Sequence, residues 1–331
     1  MLGIHSPVMR YLQVVWLAGA LAASCTVRTP DRPPEEAGPR ATEGTQVVFL
    51  GTGTPLPDPD RAGPSTAVVV QGSAYLFDAG AGVVRRATAA TRKGVTALAS
   101  VNLKKAFLTH LHSDHTMGLP DLILTPWTMG RQEPLELYGP VGTAAMVAGI
   151  QQAWALDIDR RRNDLQPATP DGWRVNVHEL PATRRQVYAD AHVRVTAIPV
   201  QHGVWEAFGY RIDTPDKSIV ISGDARPTEA LTAACQGCDI LIFEVYTMGS
   251  TEKVTSPWRE YRRAYHTSTR ELADLAAKSR PKLLILYHRA NPGCDQVGTD
   301  CGTSGSEAEA LAEMKQFYTG PVVEAHDLDV F

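Results

Sequence analysis

The sequence predicts an α/β domain of four layers, two sheets packed face to face with helices on both outer sides. Three observations point there. Short apolar runs alternate with helical stretches, and the strands-then-helices texture occurs twice in succession. The chain has 331 residues, 44% of them apolar, which is enough for one large core. No break in composition interrupts residues 46–331 and no short period repeats, so that span is expected to be one domain.

Residues 1–25 read as a signal peptide. Arg10 gives a positive start, and Tyr11–Ala23 is apolar and uncharged, too short at 13 residues (11 to 23) for an ordinary membrane-spanning helix. The run ends in Leu21-Ala22-Ala23-Ser24-Cys25, which resembles a bacterial lipobox. Lipidation of Cys25 would attach the mature chain to a membrane. Ordinary cleavage near Ala22 or Ser24 would leave Cys25 incidental. The expected location is the periplasm, or the outer membrane through that anchor. Residues 26–45, with Pro30, Pro33, Pro34 and Pro39 among mixed charges, read as a flexible tether.

The domain opens with a strand over Val47–Leu50, stopped by Gly51-Thr52-Gly53. Thr66–Val70 and Ala74–Phe77, parted at Gly72, read as a hairpin. A helix is expected over Ala81–Leu98, then a strand at Lys105–Leu108 that runs directly into Thr109-His110. Leu135–Tyr138 is a further strand, and Gly139-Pro140 breaks to a helix over Thr143–Trp154. The charged stretch Ala155–Gly172 reads as an exposed excursion. The second half brings strands at Val193–Pro199, Ala207–Ile212 and Ser218–Ser222, a short helix at Thr228–Ala234 and a strand at Ile240–Phe243. Ser268 with Glu271 three positions later forms a capping box that starts a helix reaching about Ser279. Leu283–Tyr287 and Val322–Ala325 are the closing strands.

Four cysteines follow Cys25: Cys235, Cys238, Cys294 and Cys301. Sequence alone permits three pairings. Proximity favours Cys235–Cys238 and Cys294–Cys301, each pinning a loop in an oxidising compartment. A zinc knuckle is the rival reading, but the single Cys-x-x-Cys has no second at matching spacing. The net charge of -4 and pI near 6.2 argue against nucleic acid as a partner.

The segment that carries chemistry is Thr109-His110-Leu111-His112-Ser113-Asp114-His115. Three histidines and an aspartate within six positions are costly in a core, because each needs a polar partner. Directly after a strand, His110 and His112 point the same way and suit one cation. Asp114 and His115, a step further, suit a second. Imidazole nitrogen and carboxylate oxygen are ligands that zinc favours, while iron or manganese would also accept them.

With these residues in view, the chain resembles the metallo-β-lactamase-fold hydrolases, whose signature is His-x-His-x-Asp-His. The neighbouring motifs are most similar to the ribonuclease Z branch: Leu50-Gly51-Thr52-Gly53-Thr54-Pro55, Phe77-Asp78-Ala79-Gly80, His115-Thr116-Met117-Gly118-Leu119-Pro120, Ser222-Gly223-Asp224-Ala225-Arg226-Pro227 and Leu286-Tyr287-His288. The resemblance spans nearly all of residues 46–331. It implies an αββα sandwich holding two zinc ions. His110, His112 and His202 would bind the first, Asp114, His115 and His288 the second, and Asp224 both. Alone, His202 or His288 would read as an ordinary hydrogen-bonded histidine; the cluster and the matching motif order make them ligands. Asp78 would orient a ligand histidine from behind. His178, His192 and His326 match no motif and are expected to be structural.

Two such cations lower the pKa of a shared water towards neutrality, and the hydroxide so formed attacks phosphorus or a carbonyl carbon. The resemblance supplies a Glu244–His266 pair to protonate a poor leaving group, and Asp114 as a proton acceptor for that water. Members that process transfer RNA carry a long arm between the third histidine and the bridging aspartate. Here His202 and Asp224 lie 22 positions apart (224 − 202), enough for a turn and two strands. The expected activity is therefore hydrolysis of a small phosphodiester, or an aryl or sulfate ester. A carboxylic ester, lactone or β-lactam is the alternative, with 3′-processing of transfer RNA and a non-catalytic metal-binding role behind it. Trp127, Trp154, Trp205, Tyr246, Trp258 and Tyr261 are candidate pocket walls, and Arg61 and Arg226 candidate contacts for an anion. Dimerisation is common in that branch, so a homodimer is implied, although no interface is legible.

Overall fold

A computed structural model of the chain describes residues 44–183, 185–252, 254–289 and 305–331. The signal segment, nearly all of the tether and the Cys294–Cys301 pair lie outside them. In the first half the strands are β1 (Gln46–Gly51), β2 (Ser65–Val70), β3 (Ser73–Phe77), β4 (Lys105–Phe107), β5 (Leu135–Gly139) and β6 (Val175–Glu179). They lie side by side in chain order, with β1 to β3 antiparallel and β3 to β6 parallel. In the second half come β7 (Arg185–Ala189), β8 (Arg194–His202), β9 (Trp205–Asp213), β10 (Ser218–Ile221), β11 (Ile240–Val245), β12 (Leu283–Arg289) and β13 (Val322–Glu324). These too keep chain order; β7 to β10 are antiparallel and β10 to β13 parallel.

The helices are α1 (Val83–Arg92), α2 (Ser113–Thr116), α3 (Leu119–Thr128), α4 (Thr143–Ala153), α5 (Ala155–Asn163), α6 (Glu229–Ala234), α7 (Met248–Glu252), α8 (Ser256–Tyr265), α9 (Thr269–Ser279) and α10 (Glu307–Phe317). Side chains on a strand alternate between faces, and the two-residue period sorts the sequence into layers. Val47 and Phe49 of β1 enter the layer between the sheets, with Phe77, Phe107, Phe208, Tyr210, Ile242 and Tyr287. Val48 and Leu50 point the other way, onto Val83, Val84, Leu119 and Leu122 of α1 and α3. On the far side Leu241, Phe243 and Leu284 meet Leu231, Leu272 and Met314 of α6, α9 and α10. Three apolar layers between four layers of backbone make the expected αββα sandwich.

Several expected elements change length. The helix predicted over Ala81–Leu98 stops at Arg92, turns at Gly94 (φ 105°) and resumes as a short 3-10 turn over Thr96–Leu98. The strands predicted at Val193–Pro199 and Ala207–Ile212 extend until only Gly203 and Val204 separate them, pairing His202 with Trp205. Elements outside the predicted set also form, among them α2, α3, β6, β7, α7, α8 and α10. The stretch Ala155–Gly172 begins as the helix α5 and is largely exposed, with Ile158 buried. Cys235 and Cys238, both buried beside α6, are joined by a disulfide, the first of the two proximate pairs.

This topology positions the site. The polar residues of the motifs sit at or just beyond the carboxyl ends of β3, β4, β8, β10, β11 and β12, all along one rim of the sandwich. Ends of parallel strands are where open α/β sheets leave a crevice.

Candidate metal centre

Asp78 leaves β3 with φ 63°, a left-handed conformation that few non-glycine residues adopt. Its carboxylate holds that position through three hydrogen bonds: from Thr109 N at 2.7 Å, Thr109 Oγ1 at 2.9 Å and His115 Nδ1 at 2.8 Å. Donation from Nδ1 leaves His115 Nε2 bare and aimed into the site. Just after the histidine cluster, a Cβ on Gly118 would lie 2.1 Å from Gly80 O, so only glycine lets this segment lie flat on the loop after Asp78.

The same device recurs twice. His110 Nδ1 lies 2.9 Å from Thr109 Oγ1, and His202 Nδ1 donates to Tyr265 O at 2.9 Å. Both rings therefore present Nε2. Gly203 (φ 57°) makes the second contact attainable, because a Cβ there would stand 2.0 Å from the Tyr265 ring. His110 Nε2 is 2.9 Å from His112 Nδ1, and His202 Nε2 is 3.2 Å from that atom. Three ring nitrogens thus crowd one point, where bare lone pairs repel unless a cation lies between them.

Asp114, His115 and His288 form a second group. His288 Nε2 lies 3.1 Å and His115 Nε2 3.6 Å from Asp114 Oδ2. Asp224 stands between the groups with its two oxygens turned apart. Oδ1 is 3.2 Å from His115 Nε2 and 3.5 Å from His288 Nδ1, while Oδ2 is 4.0 Å from His110 Nε2. Ligand atoms of His110, His112, His202 and Asp224 all lie within 4.8 Å of one another, as do those of Asp114, His115 and His288. His115 Nε2, His288 Nδ1 and Asp224 Oδ1 are buried without a hydrogen-bond partner among the described residues. Such orphaned buried atoms are expensive. Two cations would satisfy them, and the nitrogen-and-carboxylate donor set suits zinc. His288 also adopts a left-handed φ of 43°.

Charge follows the same logic. Burial pushes the His110 and His202 imidazoliums down, and His112 down to about 4, so all three rings offer lone pairs at neutral pH. For His115, burial pushes down as well, but Asp224, Asp78 and Asp114 together reverse it and raise the ring's pKa. Burial alone would raise Asp224; the His288 and His115 rings hold it well below the usual carboxylate range.

Beside Asp224 lies the expected Glu244–His266 pair. His266 Nδ1 is 3.1 Å from Glu244 Oε1 and 4.0 Å from Asp224 Oδ2. Tyr246 ties the pair's two segments together, its N–H donating to Thr267 O at 2.9 Å. Burial, with the neighbouring Asp224, raises Glu244 well above an ordinary carboxyl, and burial lowers His266 to about 4. The Nδ1–Oε1 contact gives the two groups a direct path for passing a proton.

A cavity of about 640 Å³ opens over the centre, lined by His112, Asp114, Asp224, His266 and His288 below and by Leu56, Trp258 and Tyr261 among its walls. Of the aromatic residues considered from sequence, Trp258 and Tyr261 line it and Trp205 packs edge-on to His112 at 4.5 Å. Trp127 is core, donating to Thr169 O, and Tyr246 and Trp154 face other grooves. Arg61 pairs with Glu324 at 3.3 Å and Arg226 with Glu271 at 2.8 Å, and neither lines the cavity. His178 stacks on Tyr138 and pairs with Glu136, away from the site. The Tyr265 carbonyl and Gly203 went unread in sequence; the only signal was a glycine following His202.

A family model described as "Beta-lactamase superfamily domain" matches residues 73–289. A protein named Ribonuclease Z from Mycobacterium sp. (strain KMS) is 36% identical over 255 residues, covering 75% of this chain and 85% of its own. Among solved structures, the short form of human tRNase Z superposes with a TM-score of 0.61 at 24% identity, over 86% of this chain and 98% of that one. YhfI of Bacillus subtilis, titled a metallo-beta-lactamase fold protein, gives 0.60 at 17% identity, over 87% and 98%.

Proposed function

Since this chain belongs to the metallo-β-lactamase superfamily, in its ribonuclease Z-like branch, and is a metal-dependent hydrolase, we propose that it hydrolyses small phosphodiesters, or related aryl or sulfate esters, at a dinuclear zinc centre. The observation that carries this reading is the Asp224 carboxylate, with one oxygen turned to each ligand group and His266 4.0 Å away. Zinc bound there would supply Lewis acidity and a water activated near neutral pH. His110, His112 and His202 would hold one ion, Asp114, His115 and His288 the other, and Asp224 both.

The remaining steps belong to the chain's own groups. Asp114, at the cavity floor, accepts the proton of the attacking water. His266 passes a proton to the departing oxygen and draws it from Glu244, which also keeps the ring oriented. The substrate is small because Gly203 and Val204 alone join β8 to β9, so nothing in residues 202–224 extends to grip a folded RNA. Export is part of the same proposal, with Cys25 as the lipid anchor and the Cys235–Cys238 disulfide suited to an oxidising compartment.

The test joins metal content and turnover, on the chain from residue 26, with bis(p-nitrophenyl) phosphate and a chromogenic β-lactam in parallel. About two metals per chain and diester turnover lost to chelator are expected. Turnover of the β-lactam alone would replace this reading with the carboxylic-ester one. Replacing His266 with Ala should leave metal bound and slow poor leaving groups most, on the order of 10²-fold. Equal losses for good and poor leaving groups would remove His266 from proton delivery.

A further inference from the structure

The cavity over the centre is chemically lopsided. Its floor carries the histidines and carboxylates, while its walls carry Pro55, Leu56, Pro257, Trp258 and Tyr261. Arg262 is the only cationic side chain among the lining residues. The helix α8 is sorted by face: Pro257, Trp258 and Tyr261 turn to the cavity, whereas Arg259, Glu260 and Arg263 turn to a separate groove. Away from the floor, the walls are apolar and aromatic.

The aromatic rings are also fixed in place. Trp258 and Tyr261 meet edge to face with centroids 5.6 Å apart, and Tyr261 stacks on Tyr265 at 4.5 Å. Tyr265 in turn sits against Gly203 and receives the hydrogen bond from His202. A line of ring contacts therefore runs from His202 through Tyr265 and Tyr261 to Trp258 in the cavity wall. Trp258 is nevertheless 43% exposed, a large apolar surface facing water unless a ligand covers it.

Resting on the functional reading above, we infer that Trp258 and Tyr261 are specificity residues that seat a flat aromatic ring of the substrate, so that the ester is an aryl or nucleoside one rather than an alkyl one. Edge-to-face geometry and removal of apolar surface from water both reward a planar ring at that wall. The floor binds the ester group and is indifferent to what it carries.

Inhibition constants of phenylphosphonate and methylphosphonate against diester turnover test this, with quenching of tryptophan fluorescence as a second readout of binding. The phenyl compound should bind about 10- to 100-fold more tightly to the native chain. In Trp258→Ala that ratio should fall towards one, with metal content and the methylphosphonate constant held. Trp258→Phe should restore most of it, and Tyr261→Leu provides an independent variant should Trp258→Ala fold poorly. Adenosine monophosphate competing as well as phenylphosphonate, with the same Trp258 dependence, would assign the ring to a nucleobase; weak competition would assign it to an aryl group. Equal binding of phenyl- and methylphosphonate to an active native chain overturns the inference and leaves the hydrolase reading intact. Absence of both diester turnover and phosphonate binding in a metal-loaded chain overturns that reading itself.

Discussion

At the scale of single residues, the centre depends on groups that never touch the reacting atoms. Asp78 fixes the tautomer of His115 and holds Thr109, which in turn contacts His110. Replacing Asp78 with Asn removes the charge that accepts these protons, so metal affinity should fall about 10- to 100-fold with little loss of fold. Metal titration by calorimetry checks this, and an unchanged affinity would show that Asp78 serves only the backbone. The clustered site residues were legible because His110, His112, Asp114 and His115 are too costly together to be ordinary core. Arg131 was not legible. It is wholly buried, and its guanidinium donates to the carbonyls of Leu103, Leu122, Ile123 and Gly172 rather than to a carboxylate. A motif search for paired charges has no access to carbonyl partners.

At the scale of elements, α9 begins beside the Glu244–His266 pair. Ser268 caps it, accepting from Glu271 N at 3.3 Å, while Glu271 Oε2 accepts from Ser268 N at 3.1 Å. Losing that cap in Ser268→Ala should cost about 1 kcal/mol, read as a shifted denaturant midpoint. Because His266 lies two positions before the cap, turnover should fall more than metal content does. The turn joining β7 to β8 supplies a pH-dependent element. Burial alone would raise Asp190, but hydrogen bonds from Tyr75 and Tyr188 and the His192 and Val193 N–H groups hold it below its ordinary range. A carboxyl depressed on folding stabilises the fold above its unfolded pKa, about 4. That contribution is lost as pH drops below about 4, and Asp190→Asn should flatten the fall in melting temperature there. The helix α9 was legible from its capping box. By contrast α3 was hidden by Pro120 in its first turn and Pro126 inside it, and β6 by the polar residues of a partly exposed edge.

Across the whole molecule, the centre draws on both sheets. Asp78 and the run from His110 to His115 follow β3 and β4, whereas His202, Asp224 and His288 come with β8, β10 and β12. Ions bound there would link the two halves directly, so chelation should lower the melting temperature as well as abolish turnover. Calorimetry with and without chelator checks this, and an unchanged transition would mean that packing between the sheets alone holds them together. The layered architecture was legible because short apolar runs alternate with helical stretches twice in succession, although β1 is apolar on both faces and only the structure sorts Val47 and Phe49 from Val48 and Leu50. What alternation cannot show is which halves share a site. Since the outermost candidate ligands, His110 and His288, are 178 positions apart (288 − 110), the cluster comes together only when both halves of the domain have closed. A metal that needs the whole set of ligands would then be acquired late. In a chain that crosses a membrane before folding, the ions seated would be those abundant on the far side, so the place of folding would choose the metal as much as the ligands do.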